Sequence, residues 1–317
     1  MRVWFGGLAA LFVLSFATVH AGPVPKLIVF GDSLSDPGNL YEASGHTDPP
    51  VPPYHEGRFS NGPIWVDYLA NDYGIAVESH AVAGATTGTH NIANQSPGQY
   101  AGLQQQVQAF AAGNPGGVDP DAVYFIWAGS NDFALLPPDA TEEQIGLMFA
   151  ETIGNILNAA GTLQALGAQK LIIGNIPDIG LTPQSREAGL SDQLTALAGA
   201  LNAELAAAIS ALFADAVILD SFALMNEILA DAGDLGITNL TEACLTRIPD
   251  MSVCSDPESH LFWDHMHPTT AVHQLFAARM AELLQPAAVS APAGAGLFLA
   301  LLPVAAVLRR RSARARP

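Results

Sequence analysis

Along this chain, short runs rich in apolar residues alternate with longer segments whose apolar residues recur at helical spacing. The short runs are Lys26-Leu27-Ile28-Val29, Ala76 to Val82, Val123-Tyr124-Phe125-Ile126-Trp127, Gln169 to Pro177 and Ala216 to Asp220. The run from Val123 to Trp127 is apolar at every position, the pattern of a strand buried on both faces. Between the runs lie segments that predict helices: Pro63 to Leu69, Gln104 to Phe110, Glu142 to Leu166, Ser191 to Phe213, Ser221 to Leu229 and Thr269 to Leu284. Five strands alternating with helices predict an α/β fold whose parallel sheet is covered on both faces. Residues Gly236 to Trp263 follow neither period and read as an irregular stretch. The segment from Thr47 to His55 is too rich in proline for a regular element.

Three of the strands run into Gly and small polar residues. The first meets Gly31-Asp32-Ser33-Leu34, the second Ala83-Gly84-Ala85-Thr86-Thr87-Gly88, and the third Ala128-Gly129-Ser130-Asn131-Asp132. Taken singly, each reads equally well as strand-end punctuation or as part of a site. In a parallel α/β sheet, however, ligands bind outside the carboxyl ends of the strands. His267, just before the last predicted helix, falls at the same edge.

Composition adds bounds. The chain has 317 residues, 50% hydrophobic and 13% charged, enough to bury a large core. Met1 to Ala21 has a basic residue, an apolar run and a small-residue cleavage site, so it reads as a secretory signal peptide. Residues 22–288 form the expected catalytic body. Residues 289–317 hold a small-residue linker, an apolar segment from Gly294 to Leu308 and an Arg cluster from Arg309. The apolar part is short against the roughly 20 residues that a spanning helix wants. This tail resembles the PEP-CTERM type of sorting signal, although no Glu stands beside Pro292; a plain anchor is the competing reading. Either predicts transient membrane association.

All 30 acidic residues lie between Asp32 and Glu282, against six basic ones in the body, a net charge of −24 for that region. Such a surface repels nucleic acid and anionic lipid head groups. The two cysteines, Cys244 and Cys254, predict a disulfide in an exported chain. No paired cysteines or clustered histidines point to zinc, and no metal or cofactor is expected.

The chemistry follows from spacing. A nucleophilic Ser needs a base, and the base needs a group that fixes its tautomer. Asp264 stands three residues before His267, so a turn lets its carboxylate reach Nδ1 and leaves Nε2 to face Ser33. His265 is the rival base, but it adjoins Asp264 in sequence and reads as packing or surface. His46, His55, His260, His273, Asp132 and Asp178 read as surface or structural. Asp36 and Asn39 read as braces of the turn after Ser33. The backbone N–H groups of Ser33 and Gly84 and the Asn131 amide can supply an oxyanion hole.

Gly31-Asp32-Ser33-Leu34 with Ser35-Asp36-Pro37-Gly38-Asn39, Gly84, Gly129-Ser130-Asn131-Asp132 and Asp264-x-x-His267-Pro268 together resemble the GDSL or SGNH hydrolase family. Gly57-Arg58-Phe59-Ser60-Asn61-Gly62 resembles its lipase-like branch. The resemblance runs from about Lys26 to Leu284. It implies a three-layer α/β/α sandwich with a mostly parallel, five-stranded, flavodoxin-like sheet. It also implies Ser33 as nucleophile, His267 as base, Asp264 as its partner, and Gly84 and Asn131 as oxyanion donors. The implied function is hydrolysis of a small-molecule or lipid ester, and the resemblance of the tail to a sorting signal adds an acylated polysaccharide as a candidate substrate. Acyl transfer, or deacetylation of a polysaccharide, with the same residues is an alternative, and a non-catalytic envelope-binding protein a further one.

Overall fold

The computed structural model describes residues 26–284, apart from 97, 138 and 247–250. In chain order the elements are β1 (Leu27–Gly31), α1 (Asn39–Ala43), α2 (Trp65–Asp72), β2 (Val77–Ser79), α3 (Leu103–Gly113), β3 (Val123–Trp127), α4 (Glu142–Ala165) and β4 (Lys170–Gly174). There follow α5 (Pro183–Glu187), α6 (Ser191–Leu212), β5 (Val217–Leu219), α7 (Ser221–Ala230), α8 (Ala232–Leu235), β6 (Asn239–Ala243), β7 (His260–Phe262) and α9 (Thr270–Leu284). The predicted signal over Met1–Ala21 and the tail over 289–317 lie outside the described residues.

The main sheet has five strands in the order β2-β1-β3-β4-β5, all parallel, with β1 aligned to β3 from Leu27 opposite Val123 to Gly31 opposite Trp127. Alternate residues of each strand face opposite layers, as the pleat requires. Leu27, Val29, Val123, Phe125 and Trp127 pack with α2, α7 and α9; Ile28, Phe30, Tyr124 and Ile126 pack with α3, α4 and α6. The result is the expected three-layer α/β/α sandwich. α6 is long and apolar enough to cross a membrane by length and composition, yet it turns Leu201, Leu205 and Ile209 into the core. The order reverses around β1, so the chain leaves for β2 on one side and returns through β3 on the other. That reversal opens a crevice at the carboxyl ends of β1 and β3.

The structure corrects one expectation. Gly236 to Trp263 is not irregular throughout, because β6 and β7 pair in parallel through Asn239–His260 and Ala243–Phe262. β6 has no buried residue, and its sequence Asn-Leu-Thr-Glu-Ala carries no apolar alternation. Helices α1, α5 and α8 span five, five and four residues, too short to set up a periodicity.

Candidate active site

β1 ends inside the sheet, and the chain turns sharply after Gly31. The Ser35 N–H bonds the Asp32 carbonyl at 3.0 Å, and the Leu34 N–H bonds Asp32 Oδ1 at 3.1 Å. Ser33 sits on this turn, 8% exposed. Asp36 holds the turn from below: its carboxylate accepts the N–H groups of Gly38, Asn39, Leu40 and Ala83. Asn39 donates to the carbonyls of Ser79 and Ala81. These two side chains therefore brace the turn, as expected, and also tie it to the loop after β2 that carries Gly84. Burial raises the Asp36 carboxyl against those four N–H groups.

Gly84 has φ +78, and a Cβ there would stand 2.5 Å from Asn91 Oδ1. Both facts require glycine. Among the described residues, the N–H groups of Ser33 and Gly84 donate to no other group, which leaves them available to a ligand. Asn131 lies in a 3₁₀ turn directly after β3 and donates from Nδ2 to the Ala85 carbonyl at 2.9 Å. That bond sets it beside Gly84 and leaves its second amide proton unused. Asp132 next to it accepts from the Thr87 N–H and hydroxyl and from Thr152. Asp132 is thus a cross-link between the second and third strand ends.

His267 comes from the loop between β7 and α9. Its Nε2 lies 2.9 Å from Ser33 Oγ, and its Nδ1 lies 2.8 Å from Asp264 Oδ2. Asp264 Oδ1 also accepts the backbone N–H groups of Met266 and His267, at 2.8 and 2.7 Å, which folds the three-residue spacing into a turn. In the neutral imidazole the ring nitrogens then divide their roles: Nδ1 donates to the carboxylate and Nε2 accepts from the serine. Burial works to raise the Asp264 carboxyl, but the charge and hydrogen bond of His267, with Tyr54 and the Met266 N–H, hold it at about 2. Burial opposes protonation of His267, but the Asp264 charge and hydrogen bond outweigh it and raise the imidazole above its ordinary range. Burial pushes Asp32 up to about 7, against the Leu34 N–H and the His267 charge.

His265, the rival base, turns the other way, with Nδ1 3.0 Å from Glu187 Oε1. His46 pairs with Glu42 at the surface, and His55 lies beside Glu56. His273 is buried in the core beside Phe276, and burial lowers it to about 3. His260 bonds the Asp256 carbonyl, and Asp178 caps a 3₁₀ turn. Cys244 and Cys254 form the expected disulfide.

Sequence reasoning passed over two side chains in the segment after α1. The Tyr54 hydroxyl donates to Asp264 Oδ2 at 2.7 Å, and the Phe59 ring lies 4.9 Å from that of His267. The same segment fastens the start of α9. Ser60 donates to the Pro268 carbonyl, Asn61 accepts the Thr270 N–H, and a Cβ on Gly62 would stand 2.7 Å from the Thr270 hydroxyl.

Beside Ser33, Asn131 and His267 opens a cavity of about 270 Å³, lined by Leu34, Phe133, Leu136, Ile179, Leu194 and Leu197 among others. Gly84 is one residue from the Ala85 carbonyl that Asn131 holds, but it does not line this cavity.

Residues 27–280 match the family described as GDSL-like Lipase/Acylhydrolase. A phosphatidylcholine-sterol acyltransferase from Aeromonas hydrophila is 25% identical, over 91% of this chain and 96% of that protein. A thermolabile hemolysin from Vibrio parahaemolyticus is 26% identical, over 84% of this chain and 65% of that protein. Among solved structures, an alpha/beta hydrolase enzyme from the metagenome of Lake Arreo, Spain, superposes with a TM-score of 0.44 at 16% identity, over 82% of this chain and 94% of that one.

Proposed function

The chain belongs to the GDSL-like Lipase/Acylhydrolase family, and from that premise we propose that it hydrolyses carboxylic esters with apolar acyl groups through an acyl-enzyme on Ser33. The observation that carries this reading is the relay from Ser33 Oγ through His267 to Asp264, at 2.9 and 2.8 Å. His267 Nε2 takes the Ser33 proton as Oγ attacks the ester carbonyl. Asp264 keeps Nδ1 protonated and balances the imidazolium charge. The N–H groups of Ser33 and Gly84 and the Asn131 amide stabilise the oxyanion. When the tetrahedral intermediate collapses, His267 returns the proton to the leaving alcohol. Water then attacks the acyl-enzyme with His267 again as base, and Ser33 is freed.

The lining of the cavity supports an apolar acyl group. Burying each methylene there is worth about 0.8 kcal/mol, or about fourfold in kcat/KM. Rates on p-nitrophenyl esters of increasing chain length therefore climb by about that factor per methylene until the cavity fills. An optimum at acetyl would overturn the acyl-chain reading and favour deacetylation of a polysaccharide. A second reading, acyl transfer, shares every step up to the acyl-enzyme. It is supported by the relative whose name is phosphatidylcholine-sterol acyltransferase. Acylated product on an added sterol or alcohol, at the expense of free acid, identifies it.

Export belongs to the same proposal: a signal peptide over Met1–Ala21, a catalytic body over 22–288, and a 289–317 tail acting as a PEP-CTERM-type sorting signal or an anchor. The Cys244–Cys254 bond suits an oxidising compartment. Intact mass of the protein from its own host tests both ends, since an uncleaved N-terminus removes the export reading.

A further inference from the structure

The Asp264 carboxylate has more partners than the base alone. Oδ1 takes two backbone N–H groups, and Oδ2 takes both His267 Nδ1 and the Tyr54 hydroxyl, at 2.8 and 2.7 Å. Tyr54 stands 210 residues away in sequence, in the Pro-rich loop. Its ring is fixed between Phe59, at 5.6 Å, and Trp263, at 6.3 Å and nearly perpendicular. Trp263 packs in turn with Cys244 and Leu245, so the disulfide loop supports the tyrosine. Burial, with the charges of Asp264 and Asp48, raises the Tyr54 hydroxyl far above its ordinary range, so it stays a donor at any working pH.

Two donors on one carboxylate oxygen compete for the same charge. A stronger hydrogen bond from Tyr54 leaves less of that charge to hold the proton on the imidazole. We propose that Tyr54 is a positioning residue of this site, whose hydroxyl fixes the Asp264 carboxylate and moderates its pull on His267 so that the imidazole can be neutral when Ser33 reacts. The proposal rests on the reading of Ser33, His267 and Asp264 as the reacting set. The other ionisable groups that act on this pair are Asp32 on the turn after β1 and His273 on α9, with Asp48 beside Tyr54 itself. A change confined to the Tyr54 hydroxyl leaves all three in place.

The test is the pH profile of kcat/KM on a p-nitrophenyl ester for the unaltered protein, Tyr54→Phe and Tyr54→Leu, with melting curves for each. Without the hydroxyl, the acid limb that reports His267 moves to higher pH by about half a unit to one unit. At a fixed pH on that limb, activity falls about three- to tenfold. Tyr54→Leu loses the ring packing as well and falls further. If Tyr54→Phe retraces the profile of the unaltered protein while Tyr54→Leu is impaired, Tyr54 only packs and the proposal fails. Site-specific replacement of Tyr54 by 3-fluorotyrosine, a stronger donor of nearly the same shape, gives an independent reading. It moves the limb to lower pH, and an unmoved limb overturns the proposal even if Tyr54→Phe fails to fold. Failure of the underlying reading looks different: the unaltered protein would show no acid limb at all.

Discussion

The two halves of the site are built in different ways. Ser33, Gly84 and Asn131 stand on the ends of neighbouring parallel strands. Buried Asp36 and Asp132 cross-link those ends through bonds to backbone and hydroxyl groups. Asp264 and His267 stand on a loop outside the main sheet. They are held from several distant parts of the chain: Tyr54 on the carboxylate, Ser60 on Pro268, and the Gln184 N–H on the His265 carbonyl at 3.0 Å. The donor half is therefore rigid because the core is rigid. The base half is rigid only while several separate loops stay docked, and such regions open at lower free energy than a sheet does. Perturbations of the two halves should differ in kind as well as in size.

The largest effect tests whether the halves meet at Ser33 at all. Ser33→Ala removes the proposed nucleophile and touches neither set of supports. Hydrolysis should fall by about 10⁴-fold or more with the melting temperature unchanged, and a fluorophosphonate probe that labels the unaltered protein should leave the variant unlabelled. Retention of most of the activity would sink the mechanism.

Next in size is a cut inside the donor half. Asn131→Ala should lower kcat by about 10²–10³ with little change in KM, because in the proposed mechanism the amide acts on charge that develops in the transition state. It also strips the Ala85 carbonyl of its donor. A modest loss of stability, about 1–2 kcal/mol, should therefore accompany the kinetic loss. A variant that loses stability but keeps kcat would make Asn131 a brace and no more.

The same division explains what could be read from the sequence. Ser33 and Asn131 were legible because each follows an apolar strand and breaks it with glycine or small polar residues, and Gly84 because it sits in a turn of small residues after the second strand. Asp264 and His267 were legible because three residues suffice for one turn. Tyr54 was not: nothing in a proline-rich loop says which tyrosine reaches a carboxylate 210 residues on. The β6–β7 pair was missed for a related reason. Its strands are short, none of β6 is buried, and a register shift interrupts their pairing, so no periodicity marks them. The sequence signals what the sheet dictates locally, and is silent on contacts that exist only once distant loops have docked.

The third prediction concerns protons in the base half. In the proposed mechanism His267 must be neutral to accept the Ser33 proton, and Asp264 raises it above its usual value. Activity should therefore rise with pH along a limb lying above about pH 6.5, and fall about tenfold per unit on the acid side. Stability runs the opposite way. A His raised by its partner stabilises fully below its unfolded pKa and loses that contribution as pH climbs through the folded one. Asp32, pushed up to about 7, adds to the trend: its neutral form favours the fold at low pH, and that advantage is lost between its unfolded value of 3.8 and about 7. Asp264, held at about 2, contributes above 3.8 and loses that contribution as pH falls toward 2. Melting temperature and kcat/KM measured together should cross, one falling and the other rising, between about pH 6 and pH 8. Parallel curves would mean that His267 does not control both.

The smallest effect separates the halves most cleanly. The Cys244–Cys254 bond closes a loop of ten residues, worth about 2–3 kcal/mol in the chain-entropy model. Cys244 is buried against Leu245 and Trp263, and Leu245 donates to the Trp263 carbonyl, one residue before Asp264. Opening the bond should therefore loosen Trp263, then Tyr54, then the carboxylate, with the His267–Ser33 contact as the link from there to the donor half. Cys244→Ala together with Cys254→Ala should lower the melting temperature by about 5–10 °C. It should also reduce kcat several-fold and make the loops around His267 exchange amide protons faster. The turn after β1 and the loop at Gly84 should keep their protection, because Asp36 and the sheet hold them independently. Hydrogen exchange read by mass spectrometry on both variant and unaltered protein resolves this. Equal loss of protection at both halves would show that the site unfolds as one unit, and the two-part construction would be wrong.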